Sequence, residues 1–273
     1  MKKVKFVLCL MLSMIIALQV NSQDWRSALV SFMKVQPGAE GDYVQLEQEV
    51  WKPIHEELIK AGKLDSWSLW AIPYPGGTDA EYHFATVNIY NSGAQLENPG
   101  DGILEAFQKA HPGKDWEKAA EQTLKSRDLV KTHGIVSWEW FGDPNMTGPP
   151  GILNVVYFDV PIDKWDAYQE MERKYFHPTH KAEIEAGTRA GWEGWQLRMP
   201  MGESMPYDFV AVDQYKDWAQ YTKDNPEGLF EGVMTERELN HREDVFNETA
   251  RLVKLEEWRL IEFVSRQSLE AGN

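Results

Sequence analysis

Residues 43–62 (YVQLEQEVWKPIHEELIKAG) and 168–187 (YQEMERKYFHPTHKAEIEAG) are two copies of one segment. The copies align without a gap over residues 43–90 and 168–215, and 15 of these 48 positions are identical. Ordinary residue usage gives roughly 6% identity between unrelated sequences. The chain therefore contains an internal duplication, and such a repeat decides the fold.

Each copy predicts the same order of strands and helices from its hydrophobic periodicity and its turn residues. The first copy predicts strands at 28–35, 66–72, 81–90 and 134–141, and helices at 42–61 and 114–131. The second predicts strands at 153–160, 191–198, 208–215 and 256–263, and helices at 163–186 and 236–254. Pro53 and Pro178 fall inside predicted helices, where proline removes a hydrogen bond and bends the axis.

This order is the βαββαβ unit of ferredoxin-like domains, which packs two helices on one face of a four-stranded antiparallel sheet. The other face of each sheet must also be covered. Two fused copies cover one another, so we predict an α+β protein in which two ferredoxin-like repeats form a pseudo-dimeric α+β barrel. The predicted limits are 1–22 for a signal peptide, 23–141 for the first repeat, 142–151 for a linker and 152–273 for the second repeat.

The first copy resembles the dimeric α+β barrel superfamily, with closest similarity to its NIPSNAP-like and antibiotic-monooxygenase-like domains. The resemblance rests on the sequence after the first strand (Lys34-Val-Gln-Pro37-Gly38), on the proline inside the helix that ends at Ala61-Gly62, and on the tryptophan-bearing strand that follows. The second copy has Val160-Pro161-Ile162 in place of the Pro-Gly. The superfamily includes cofactor-free oxygenases, haem-handling enzymes, isomerases and lyases, so the resemblance implies a pocket between sheet and helices without fixing a reaction.

The N-terminus has the pattern of a secretory signal. Lysines at 2, 3 and 5 precede an apolar run over 6–18, and small residues suggest cleavage after Ser22. We therefore expect a periplasmic or secreted protein that is not held in a membrane. The only cysteine, Cys9, lies in this segment, which excludes disulfides and thiol catalysis in the mature chain.

The charge of the chain restricts its partners. Its 43 acidic residues outnumber its 28 basic ones, and loss of the three N-terminal lysines leaves 25 against 43, or −18. Nucleic acids and anionic membranes both require clustered lysine and arginine, so we expect neither as a partner. A small molecule is the expected ligand. The oligomeric state and the cofactor stay open.

A polar stripe recurs on the first helix of both copies and supplies the candidate catalytic residues. Its members are four residues apart, so they lie along one side of a helix at the edge of its buried face. In such a stripe a histidine is the candidate base, a tyrosine the candidate proton donor and a glutamate the orienting group. The six candidates are Tyr43, Glu47 and His55 in the first copy and Tyr168, Glu172 and His180 in the second.

Aromatic and basic residues near the stripe are candidate ligand contacts. Trp51 and Phe176 share the stripe, His177 is close to His180, and the pairs Trp67/Trp192 and Arg127/Arg251 occur at corresponding places in the two copies. His177 and His180 have a spacing that can bind metal, but no further ligand accompanies them, so we predict no metal site.

Three functions remain compatible with these patterns. The leading one is binding of a small organic molecule between sheet and helices, with acid–base or oxygenase-type chemistry. The content of 12 tryptophans also suits a carbohydrate-binding or polysaccharide-processing protein. A non-catalytic assembly module that uses its acidic surface is the third.

Overall fold

The computed structural model describes residues 26–202 and 204–271, and these residues form a closed antiparallel barrel of eight strands. The order around the barrel is β1-β3-β2-β8-β5-β7-β6-β4, with β4 pairing back to β1. The strands are β1 Ser27–Lys34, β2 Ser66–Ala71, β3 Phe84–Tyr90, β4 Asp128–Gly142, β5 Ile152–Asp159, β6 Gly191–Met199, β7 Phe209–Tyr215 and β8 Arg251–Ser265.

Half of the barrel comes from each copy. The orders β4-β1-β3-β2 and β8-β5-β7-β6 are each the sheet of a ferredoxin-like unit. The long strands β8 and β4 join the two sheets by pairing with β2 and β6, so neither sheet keeps an open edge. The predicted pseudo-dimeric α+β barrel is confirmed.

The helices lie outside the barrel. Helix α1 combines Glu40–Leu46, a π-helical turn Glu47–Trp51 and Lys52–Lys60, and helix α5 combines Trp165–Met171, a π-helical turn Glu172–Phe176 and His177–Glu185. The others are α2 Gly93–Leu96, α3 Ile103–Ala110, α4 Trp116–Ser126, α6 Trp218–Tyr221, α7 Glu236–Thr249 and α8 Arg266–Ala271, with a 3₁₀ turn at Ile162–Lys164 before α5.

The two π-helical turns lie just before the duplicated prolines. Pro53 and Pro178 have no N–H to give to the carbonyl four residues back, and the helix absorbs this loss by widening for one turn. Two of the carbonyls near the first turn are then taken up by histidines: His111 Nε2 lies 3.0 Å from the Val50 oxygen, and His55 Nδ1 lies 2.8 Å from the Trp51 oxygen.

Buried apolar side chains form three clusters. One lines the interior of the barrel and contains Trp70, Trp195 and Trp258. The other two lie between the helices and the outer face of each sheet, around Trp67 in the first copy and Trp192 in the second. The three-residue spacing of each tryptophan pair therefore sends one ring into the barrel and the other towards the helices.

The second helix of each copy is shorter than the sequence predicts. The predictions at 114–131 and 236–254 ran past the true ends at Ser126 and Thr249, and the following strands begin at Asp128 and Arg251. Asp128 pairs with Lys34 and Arg251 with Asp159, so pairing in the sheet outweighs local helical periodicity there. The short helices α2, α3, α6 and α8 were not predicted.

The predicted signal segment 1–22 lies outside the described residues, and cleavage after Ser22 stays a prediction that the intact mass of an exported chain would check. Over the part that the structure describes, no helix is both long enough and apolar enough to span a bilayer.

Candidate functional site

A pocket of about 410 Å³ opens in the second copy between helices α5 and α7 and the outer face of the sheet. We call it the helix–sheet pocket. It brings together four of the predicted site residues: Glu172, Phe176, His180 and Trp192. The rest of its lining is Val156, Phe158, Ala211, Asp213, Arg242, Glu243, Phe246 and Leu252.

His180 is held in this pocket by a carboxylate. Its Nδ1 lies 3.3 Å from Glu183 Oε2, and its ring stacks on Trp192 with centroids 6.1 Å apart and planes 22° apart. Burial lowers the pKa of His180 despite the opposing hydrogen bond to Glu183, so the imidazole is neutral at pH 7. A proton on Nδ1 shared with Glu183 leaves Nε2 as the basic atom.

A buried arginine fixes the carboxylate in turn. Arg189 Nε donates to Glu183 at 2.8 Å, its Nη1 pairs with Asp213, and Asn225 donates to the second oxygen of Glu183 at 2.9 Å. Burial opposes ionisation of Glu183, but the His180 hydrogen bond and the Arg189 charge bring its pKa down to about 2. The carboxylate therefore stays charged and can stabilise a protonated His180.

One substitution between the copies explains why His180 and the aligned His55 differ. In the first copy His55 Nδ1 is occupied by the Trp51 carbonyl. In the second copy Thr179 Oγ1 donates to the equivalent Phe176 carbonyl at 2.8 Å, whereas the first copy has Ile54 at that position. The threonine hydroxyl therefore leaves the His180 ring available to Glu183.

Glu172 forms the opposite polar end of the pocket. It is only 4% exposed, and the Tyr168 hydroxyl hydrogen-bonds to it. Burial, with the nearby charge of Asp213, raises the pKa of Glu172 to about 8 against the opposing Tyr168 hydrogen bond. Glu172 is thus a neutral acid at pH 7, and His180 is a neutral base on the same helix.

The raised pKa of Glu172 predicts a pH-dependent stability that Glu172→Gln removes. With a folded pKa of about 8 and an ordinary unfolded value, the stabilisation from the protonated form is full below the unfolded pKa, falls progressively above it, and is completely lost once the pH has risen through 8. Between pH 5.5 and 7.5 the wild type should lose about 2 kcal/mol of unfolding free energy relative to Glu172→Gln. Urea unfolding of both proteins at the two pH values measures this, and parallel pH profiles would contradict the assignment.

The corresponding region of the first copy is filled by tryptophans. Trp51 donates from Nε1 to Thr123 Oγ1 at 3.0 Å and packs edge-on against Trp116, with centroids 6.1 Å apart. His55 stacks on Trp67 at 4.9 Å, and burial lowers its pKa to about 4. The two copies therefore present different environments around the same stripe.

Tyr43 and Glu47 remain together beneath these rings. Both are buried, and burial raises the pKa of Glu47 to about 7, opposed by the neighbouring Tyr43 hydroxyl and the Arg127 charge. Arg127, a predicted ligand contact, follows the last residue of α4 and lies near this pair. Arg251 lies elsewhere, at the exposed start of β8, where it pairs with Asp159 at 2.8 Å.

The predicted contact His177 lies beside the pocket, not in its lining. It is 2% exposed, stacks on Trp138 at 5.9 Å and faces Glu139, with Nδ1 3.5 Å from Oε1. Burial lowers its pKa to about 3. Among the described residues no group of three His, Cys, Asp or Glu side chains could hold a metal ion, and His177 and His180 gain no third ligand.

The sequence patterns did not single out Glu183, Arg189 and Asp213. Their aligned positions in the first copy are Leu58, Leu64 and Asn88. Leu58 and Leu64 of the first copy are replaced by the ion pair Glu183–Arg189 in the second. Such a change within an otherwise similar repeat indicates a polar site in one copy only. The predicted catalytic residues are ones that the two copies share, whereas this signal lies at positions where the copies differ.

The fold also occurs in solved structures. A candidate monooxygenase from Fusobacterium nucleatum subsp. nucleatum superposes with a TM-score of 0.54 at 10% identity, covering 90% of this chain and 96% of its own. A candidate monooxygenase from Lactobacillus acidophilus gives 0.53 at 6% identity, covering 89% and 97%. An anthrone oxidase-like protein gives 0.50 at 10% identity, covering 89% and 94%. No protein-family model and no curated protein matches the sequence.

Proposed function

Because this chain has the dimeric α+β barrel fold with both halves in one polypeptide, we propose that its helix–sheet pocket binds a planar aromatic molecule with an acidic hydroxyl or enolisable carbon. We propose further that His180 removes the proton. The observation that carries this is the Glu183–His180 pair at an aromatic pocket, with the neutral acid Glu172 at the other end.

The lining sets the class of ligand. A volume of about 410 Å³ is in the range of small-molecule sites. Phe176 and Phe246 are partly exposed and supply aromatic surfaces that favour stacking on a flat ring system, whereas Phe158 and Trp192 are buried in the wall of the pocket. Arg242 lies over the Phe176 ring at 5.9 Å and makes no ion pair with any described residue, so its guanidinium can receive an oxygen of the ligand.

The two ends of the pocket divide the proton chemistry. His180 Nε2 accepts the proton, and Glu183 stabilises the resulting imidazolium. Glu172, still protonated, can donate a hydrogen bond to a carbonyl or enolate oxygen at the far end. About 12 Å separates residues eight apart on an ideal helix, so the ligand has to span both groups. An anion formed in this way is the species that reacts with O₂ in oxygenase-type chemistry without a cofactor.

The solved structures with this fold are compatible with the proposal, since they include candidate monooxygenases and an anthrone oxidase-like protein. Because their sequence identities to this chain are 10% or below, these structures show that the fold is shared and assign no role to any residue. The carbohydrate alternative loses support because Trp67, Trp70, Trp192, Trp195 and Trp258 are all at most 5% exposed, and the exposed rings of Trp140 and Trp218 each lie against an arginine, Arg26 and Arg259.

Anaerobic calorimetry with dithranol, a dihydroxyanthrone, tests the pocket. We expect one binding site per chain, because Trp51 and Trp116 fill the region of the first copy that corresponds to the helix–sheet pocket. Phe176→Trp introduces the residue that fills the first copy and should weaken binding at least tenfold.

The matched control is Trp51→Phe, which makes the reciprocal change in the first copy and should leave the affinity for dithranol unchanged. Two equivalent sites, no binding, or an equal loss in both variants would refute the proposal.

A further inference from the structure

The interior of the barrel holds a second cavity, of about 170 Å³, which the sheet separates from the helix–sheet pocket. Most of its lining is apolar and comes from the inward-facing residues of the strands. Among these, Trp70, Trp195 and Trp258 bring aromatic surfaces to the cavity. An apolar cavity of about 150 Å³ is large enough for benzene, so this one matches a single aromatic ring.

One buried polar group on the wall of this barrel cavity is incompletely bonded. His133 is 4% exposed, and its Nδ1 contacts the Tyr207 hydroxyl. Its Nε2 has no hydrogen-bond partner among residues 26–202 and 204–271. An accessible nitrogen on the wall of a cavity can be satisfied by a ligand or by a water molecule.

The pseudo-symmetric position is occupied by a group that is fully satisfied. His133 pairs with Val30 on β1, and Glu256 pairs with the aligned Val155 on β5. The Glu256 carboxylate accepts from Tyr82 at 2.6 Å, Tyr157 at 2.8 Å, Lys254 at 2.7 Å and Trp258 at 3.1 Å. The duplication has therefore left His133 with an open hydrogen-bonding position where its counterpart Glu256 is fully bonded.

The surroundings of His133 disfavour a cationic partner. Burial and the charges of Lys131 and Lys254 lower its pKa to about 4, so the ring is uncharged at pH 7, while Glu81 acts weakly in the opposite direction. A cation would be repelled by the two lysines. A hydroxyl group suits either tautomer of His133, because it can donate to a bare Nε2 or accept from a protonated one.

The cavity has a way in. Its lining reaches the half-buried residues Arg26, Glu193 and Pro150 at the end of the barrel where β1 begins. Arg26 and Glu193 form an ion pair of 3.1 Å, with the guanidinium 5.5 Å from the Trp195 ring. A partly exposed ion pair contributes little free energy, so a small molecule can displace it on entry.

We propose that the barrel interior is a second binding site, which takes a monocyclic aromatic molecule with one hydroxyl group. The ring lies among the tryptophans, and the hydroxyl bonds to His133 Nε2. This site is separate from the helix–sheet pocket and does not depend on the chemistry proposed there.

Fluorine NMR with para-fluorophenol and para-fluorotoluene tests the proposal, because the two probes differ mainly in the hydroxyl. The full chain should bind both and prefer the phenol by about threefold to tenfold, the gain from one hydrogen bond. His133→Phe keeps a ring of similar size and should abolish the preference, with the affinity for fluorotoluene changed less than twofold.

Ala28→Leu fills the cavity from β1 and should abolish binding of both probes, which locates them in the barrel. Near-ultraviolet circular dichroism checks that this variant is folded. If it is not folded, the affinities of the two probes for His133→Phe still test the proposal. Absence of binding, equal affinities in the wild type, a preference retained in His133→Phe, or binding unchanged in folded Ala28→Leu would overturn the proposal.

Discussion

His180→Gln is expected to slow proton removal from bound dithranol by about 10²- to 10⁴-fold, the usual contribution of a positioned general base. Glutamine fills a similar volume and can still hydrogen-bond to Glu183, but it has no basic nitrogen. The rate is read anaerobically in deuterated buffer as the loss of the methylene proton signal of dithranol. Oxygen is left out, so the measurement reports proton transfer alone.

The first copy supplies the matched control for this experiment. His55→Gln changes the aligned histidine, whose Nδ1 contacts the Trp51 carbonyl. The first copy has Leu58 at the position that aligns with Glu183, so His55 has no carboxylate partner there. Exchange should proceed at the wild-type rate in His55→Gln. Wild-type exchange in His180→Gln, or an equal loss in both variants, would show that His180 is not the base.

Arg189→Met is expected to lower the free energy of unfolding by about 3 to 5 kcal/mol. The arginine is 7% exposed and pairs with both Glu183 and Asp213, so its removal leaves two carboxylates at a largely buried site without their counterion. The chain has two ways to reduce this cost, protonation of a carboxylate or entry of water, and neither restores the hydrogen bonds. Urea unfolding at pH 7 measures the loss.

Leu64→Met is the control for Arg189→Met, since Leu64 aligns with Arg189 in the first copy and is buried without a charged partner in its apolar cluster. A leucine-to-methionine change should cost less than about 1.5 kcal/mol. A loss below about 1 kcal/mol in Arg189→Met would mean that the network is not what holds Glu183 charged.

The fold could be predicted because the duplication and the element order leave few alternatives. Each of the two βαββαβ units leaves one face of its sheet uncovered, and formation of a barrel buries both of these faces. Closure through β2–β8 and β6–β4 could not be read from local patterns, since residues 259–265 of β8 and 134–142 of β4 pair with strands of the other copy. The same two strands begin earlier, at Arg251 and Asp128, where the sequence continues to look helical. Cross-strand pairing over long sequence separations decides that boundary.

The candidate site was predicted only in part. Helical spacing placed Glu172, Phe176 and His180 along one side of α5, and the structure puts these three in the helix–sheet pocket. The same spacing gave Tyr43, Glu47 and His55 equal weight, although Trp51 and Trp116 occupy the space beside them. Whether a copy has an open helix–sheet pocket depends on the volumes of side chains that come from several helices and strands. The periodicity of a single helix does not contain that information.

The polar residues of the barrel cavity also could not be identified from the sequence. His133 and Glu256 lie on β4 and β8, far apart in sequence, and their pseudo-equivalence appears only once strand register is known. A histidine on a strand with no partner nearby in sequence gave no reason to single it out. The hydrogen bonds that satisfy Glu256 come from four different positions of the fold.

The most direct test of the account is the tautomer of His180, observed by nitrogen-15 NMR of histidine-labelled protein at pH 7 and assigned by comparison with His180→Gln. The account predicts a neutral ring with the proton on Nδ1, facing Glu183, and a bare Nε2 whose resonance shifts when dithranol binds. A proton on Nε2, or an Nε2 resonance unchanged by saturating dithranol, would contradict the assignment of His180 as the base of the pocket.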